Sequence, residues 1–166
     1  MTSPATGWIG RLLKPQPAPI PWARAIRAAI AIPLPVGIGM LTGQLGIGLV
    51  IAMGALSASM TDTGGPYFAR LQRLTIVAVS GAAGFFIGNL AFGHHVATFV
   101  VIVAAGLLSG IVSLFGNNAS VASLQFLLYA AIASGLSFGT GAAWTTPLLF
   151  LVGAAWAVLL AVIAGF

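Results

Sequence analysis

The chain has 166 residues, of which six are Lys or Arg and one is an acid, while 60% are hydrophobic and the mean hydropathy is +1.12. An ordinary soluble domain carries about a quarter charged residues, so this inventory excludes a water-exposed globular surface, and it equally excludes disorder, which requires a polar, charged chain. The absence of Cys removes disulfides, thiolate metal sites and cysteine nucleophiles, and six scattered basic residues do not form the clustered patch that nucleic-acid binding needs. The composition is that of an integral membrane protein.

Residues 1–21 read as a Pro-rich cytoplasmic arm. Lys14-Pro15-Gln16-Pro17-Ala18-Pro19-Ile20-Pro21 alternates Pro with other residues, a composition that favours extended polyproline II. Residues 22–166 then read as one six-span membrane domain, an all-α compact bundle. The first apolar run, 25–41, ends at Thr42-Gly43-Gln44, and the second, 45–60, ends in the turn from Thr61 to Pro66. The third, 71–92, stops at Gly93-His94-His95, and the fourth, 96–115, stops at Gly116-Asn117-Asn118. The fifth runs over 121–138. The sixth spans 147–164, with Pro147 suited to a first turn and Thr145 or Thr146 as its cap. The first two runs fall short of the roughly 20 residues of a full crossing, so they read as a hairpin extended by Arg side chains that reach for the interface.

All formal charges lie between Arg11 and Arg73: Arg11, Lys14, Arg24, Arg27, Asp62, Arg70 and Arg73. Cytoplasmic loops carry the Lys/Arg excess. Placing the N-terminus inside puts every basic residue on the cytoplasmic side, and an even span count returns the C-terminus there. The loops at 42–44, 93–95 and 140–146 face outward without charge.

Pro33 and Pro35 each lack an N–H and clash with the preceding turn, so the first span is kinked or broken near its middle. Interrupted helices serve equally as structural kinks and as midplane substrate sites. Gly39/Gly43, Gly84/Gly88, Gly106/Gly110 and Gly135/Gly139 are spaced for close helix contact, within the bundle or between subunits.

No enzymatic constellation is present, and neither a catalytic residue, a metal site nor a cofactor is expected. His94-His95 and one remote Asp make no ligand cluster, and both His sit away from the span serines. Asp62, at the end of the second run, reads as an ion pair with Arg70 or Arg73 rather than as a proton relay. Arg24/Arg27 and Arg70/Arg73 are each spaced i,i+3, so each pair presents one helix face. They are either positive-inside anchors or, if the faces converge, a ring of guanidinium groups that concentrates anions. Asn89 and Gln125 are the costliest polar groups to place in lipid and so face the interior. Gln125 with Phe126 and Tyr129 offers either interhelical hydrogen bonds or a stacking surface for an aromatic solute.

Two stretches carry a family resemblance. One opens the first span, from Trp22 through Arg24 and Arg27 to Pro33 and Pro35. The other holds Gly54-Ala55-Leu56 and then Asp62-Thr63-Gly64-Gly65-Pro66-Tyr67-Phe68-Ala69-Arg70-Leu71-Gln72-Arg73-Leu74. The chain resembles the membrane domain of the fusaric acid resistance and aromatic acid exporter family, which is similar in architecture to plant aluminium-activated malate transporters. The resemblance implies a multi-pass protein of a bacterial-type inner membrane that moves small organic or aromatic anions. It also implies an anion-facing role for Arg24, Arg27, Arg70 and Arg73. Together with Pro33, Pro35, Gln125 and Tyr129 these are the candidate substrate-binding residues. The expected partners are the bilayer, a small organic anion and a second copy in a homo-oligomer, with a dimer favoured. Family members add a cytoplasmic helical domain, so a partner chain or a longer protein is expected to supply one. The competing expectation is a non-transporting membrane scaffold within a larger complex.

Overall fold

A computed structural model describes residues 22–61 and 66–163. The N-terminal arm expected over 1–21 lies outside the described residues. The described residues are helical, without strands, and run α1 (Trp22–Ala31), α2 (Pro33–Leu41), α3 (Leu45–Thr61), α4 (Tyr67–Ala91), α5 (His95–Ser113), α6 (Asn117–Gly135) and α7 (Thr145–Ile163). With α1 and α2 taken as one broken helix, six helices match the six expected runs. Three of them, α4, α5 and α7, are long and apolar enough to cross a membrane. The α6 helix has the same 19 residues as α5 and α7 but opens on Asn117-Asn118 and carries Ser120, Ser123 and Gln125, which dilutes its apolar character.

The break between α1 and α2 falls where the two prolines put it. Ile32 still donates to the Ala28 carbonyl at 3.2 Å and keeps helical φ and ψ, so the chain bends there rather than turning back. Pro33 and Pro35 have no N–H to give to the carbonyls of Ala29 and Ala31.

Residues 42–44, 92–94 and 114–116 connect successive helices in tight turns, so neighbours in sequence run antiparallel. Two ends of the bundle follow. Arg27, the end of α3, the start of α4 and the end of α7 share one end, which we call the arginine end. The turns at 42–44 and 92–94 and the longer connection 136–144 lie at the far end.

The most extensive packing joins helices that are not sequence neighbours, α4 with α6 and α3 with α7. Small residues explain both. A Cβ on Gly84 would collide with the Phe126 carbonyl, and one on Gly88 with the Ala130 carbonyl, so α6 lies directly on the α4 backbone. Gly54 of α3 meets the Phe150 carbonyl of α7, and Gly153 of α7 meets the Ile51 carbonyl of α3, a reciprocal fit. Where hydrocarbon surrounds the helices, apolar side chains gain little by burial, and such backbone contact carries the association.

Two clusters fill the interior. Toward the arginine end, Ala31, Ala55, Ala58, Leu74, Ala154 and Ala157 bring α1, α3, α4 and α7 together with little side-chain volume. Toward the far end the core is aromatic. Phe85 stacks on Tyr129 with centroids 4.9 Å apart, and Phe150 meets Tyr129 edge-on at 4.6 Å. Offset and edge-on pairs of this kind add to simple area burial.

The α5 helix is different. It packs on α6 and, less extensively, on α4, and only Ala105 and Ser109 are buried. Phe99 is 70% exposed and Leu107 66%. Gly106 and Gly110 face open space, as do Gly43, Gly135 and Gly139, so of the four expected pairs Gly84/Gly88 alone packs through both glycines. Gly139 lies beyond the end of α6 in the left-handed region, at φ 65°.

Candidate functional site

The expected site residues divide between the arginine end, the helix break and the aromatic core. Arg27 on α1 lines a small cavity of about 30 Å³ with Ala31, Leu74, Val158 and Ala161. Arg70 on α4 lines another of about 10 Å³ that shares Leu74, Val158 and Ala161. The two guanidinium-bearing residues therefore flank the same last turns of α7, one from each side. Arg73 follows one turn after Arg70 and is half-buried. Asp62 lies outside the described residues, as does the side chain of Arg24, so the expected ion pair and the full ring of four fall outside them too.

Both cavities at this end are small, and both share Leu74 and Val158 with a wider space between α4 and α7.

Larger space opens at the helix break. A groove of about 500 Å³ lies between α2, α3 and α7, lined by Pro35, Ile38, Ile47, Ile51 and Trp156, with Thr42 and Gln44 at its far end. Ala31 of the Arg27 cavity and Pro35 of this groove sit on either side of the break at Ile32 and Pro33. On α7, Trp156 of the groove directly precedes Ala157 and Val158 of the cavity. The break thus separates a basic cavity from an apolar groove. The Trp156 indole N–H is buried and has no hydrogen-bond partner. A second apolar groove of about 430 Å³ runs between α4 and α7.

Gln125 and Tyr129 lie one turn apart on α6, but the structure puts them to different uses. Tyr129 is 4% exposed, enclosed by Phe85 and Phe150, and its hydroxyl donates to the Met53 carbonyl of α3 at 3.2 Å. The ring faces that would stack on an aromatic solute are filled by the protein's own rings. The side-chain oxygen of Gln125 is buried without a hydrogen-bond partner.

One feature of the far end is absent from the residues singled out in the sequence. The fifth run was expected to continue to 138, but α6 stops at Gly135, and Leu136 turns extended at φ −128° and ψ 132°. Phe138 is apolar because its ring packs edge-on against Phe85, at 6.0 Å, from a non-helical segment. Ser137, Thr140, Thr145 and Thr146 close behind an apolar run, with Gly139 and Gly141 between them, are the signal that marks this segment as unwound. Among the described residues no group of His and acidic side chains is arranged to hold a metal.

No family model, curated protein or solved structure matches the chain. The family resemblance is carried by the two quoted stretches alone.

Proposed function

We propose that the chain is a membrane transport protein, an exporter or channel subunit for small organic or aromatic anions, and that the arginine end faces the cytoplasm. The observation that carries this reading is the helix break, with Arg27 and its cavity on one side and the large apolar groove on the other. An amphipathic anion needs both surfaces, a cation for its carboxylate and an apolar wall for its body. The break between them is where a small change of helix angle joins the two, since a proline kink leaves carbonyls whose hydrogen bonds need not be broken. In the bilayer all six helices cross, the shorter α1–α2 and α3 included, as a multi-pass protein of a bacterial-type inner membrane. The segments resembling the aromatic acid exporter family support the anion class. No catalytic step or cofactor is part of this reading.

The full chain reconstituted in liposomes should pass benzoate, and Arg27→Gln with Arg70→Gln together should reduce the flux while the protein stays folded. Absence of flux for every organic anion tried, from folded protein, defeats the proposal. A scaffold reading is favoured by one observation, the α5 face with Gly106 and Gly110 in open space. Under it, mild extraction from native membranes recovers a stoichiometric partner, or a second copy, that Gly106→Leu releases, and liposomes stay tight to anions.

A further inference from the structure

The connection from α6 to α7 is nine residues of irregular backbone, 136–144, and it does not loop away from the bundle. Phe138 inserts its ring against Phe85, and its carbonyl lies so close to Gly46 of α3 that a Cβ there would collide with it. Asn89, near the end of α4, donates its side-chain N–H to the Ala143 carbonyl at 3.1 Å. Thr140 and the fully buried Thr146 share a hydroxyl–hydroxyl bond of 2.6 Å. Gly139 and Gly141, with φ of 65° and 81°, supply left-handed turns that side-chain-bearing residues rarely adopt. The segment is therefore held inward at its two ends and in its middle.

Irregular backbone beside helices that cross a membrane persists only where it is buried in protein or lines water. Here it lines a pocket of about 110 Å³ with Asn89, Phe92, Ser137, Phe138 and Thr140. Unlike the grooves beside α2 and α4, this lining is mainly polar, and none of it is charged. This exceeds the space that one water needs, so the pocket takes several waters or one small solute. The polar groups are a side-chain amide and two hydroxyls, and the walls include two aromatic residues. Such a set hydrogen-bonds hydroxyl groups and packs against the C–H faces between them, and it offers an ion no counter-charge.

We infer that this pocket is a hydrated binding site for a small uncharged, hydroxyl-bearing solute at the end of the bundle opposite the arginines. The inference depends on the transport reading only for the face of the membrane to which the pocket opens. It separates the molecule into a basic end and a neutral hydrogen-bonding end.

The native chain lacks Cys, so a single introduced thiol reports without background. Ser137→Cys is exposed and nearly isosteric, and His94→Cys, exposed at the same end, serves as control. Both full-length variants are treated with a membrane-impermeant maleimide in sealed right-side-out and inside-out vesicles, with glycerol as the probe. At glycerol near twice its Kd the labelling rate at Ser137→Cys falls about threefold, while the rate at His94→Cys is unchanged, and Asn89→Ala removes the protection. Labelling of both positions only in inside-out vesicles, with the protection intact, upholds the site and overturns the proposed orientation. Labelling without selective protection overturns the site, leaving a wet crevice. Failure of Ser137→Cys to label from either face, with His94→Cys labelled and both proteins eluting as wild type, overturns it as well.

Discussion

The α4 and α5 helices follow one another through a three-residue turn and both carry a Gly-xxx-Gly pair, yet the structure treats the pairs in opposite ways. Gly84 and Gly88 admit the backbone of α6 so closely that no Cβ fits, whereas Gly106 and Gly110 meet nothing. The spacing of small residues gives a helix the capacity for close approach, and the partner is decided elsewhere. On α4 the same face carries Val77, Phe85 and Ala91, all buried. On α5 the buried residues are Ala105 and Ser109, with no large side chain among them to hold a neighbour in register.

Two phenylalanines should set the helices furthest apart. Phe85 on α4 is fully buried among Tyr129, Phe138 and Phe150. Phe85→Ala should cost about 2–4 kcal/mol, because the cavity and lost dispersion contacts remain costly even where hydrocarbon replaces water. Phe99→Ala on α5 should leave stability within about 0.5 kcal/mol of wild type. Unfolding of the purified protein by titration with denaturing detergent measures both, and equal losses would erase the distinction between the helices.

The glycines come next. Gly84→Ala places a methyl group against the Phe126 carbonyl, and overpacking of this kind costs about 1–3 kcal/mol. Gly106→Ala should be neutral or slightly stabilising by the same measurement, since Ala is the better helix former. A loss of stability at Gly106 that appears only at high protein concentration would reveal a contact between chains. A more modest loss falls in the core that α4 shares with α6. Tyr129→Phe removes the bond to the Met53 carbonyl and keeps the ring stack, for a loss of about 1 kcal/mol.

Much of this arrangement is legible in the sequence. Runs of apolar residues separated by Thr-Gly-Gln, Gly-His-His and Gly-Asn-Asn predict helix number and the turns, and Pro33 and Pro35 predict the break. The boundaries of α4 and α6 are less legible for opposite reasons. Arg70 and Arg73 put charge at the head of the apolar run, but no helix-breaking residue lies between Pro66 and Leu71, so α4 begins at Tyr67. Leu136 and Phe138 are apolar enough to read as helix, but they serve the core from unwound chain. The reciprocal pair Gly54 and Gly153 escapes a search for Gly-xxx-Gly. Each is followed four residues later by Ala, at Ala58 and Ala157, and admitting Ala as the second small residue finds both.

The site is less legible than the fold. Spacing predicts that Arg70 and Arg73 share a face, but only the packing of α7 shows that Arg27 and Arg70 border the same residues of its last turns. Tyr129 has the chemistry of a ligand contact and the surroundings of a core residue. Polarity in a helical run signals that a group faces inward without saying whether protein or solute meets it there.

The fit of Gly54 against Phe150 and of Gly153 against Ile51 has a consequence for the order in which the protein is made. The two halves of this contact are separated by α4, α5 and α6, so α3 is synthesised well before α7. Until α7 arrives, the backbone of α3 presents its small residues to whatever surrounds it, and the hairpins already formed cannot close the bundle. Assembly at this seam therefore waits for α7. A nascent chain stalled before α7 has emerged, carrying a photo-crosslinker at Ile51, should be captured by its surroundings, and the chain with α7 in place should not.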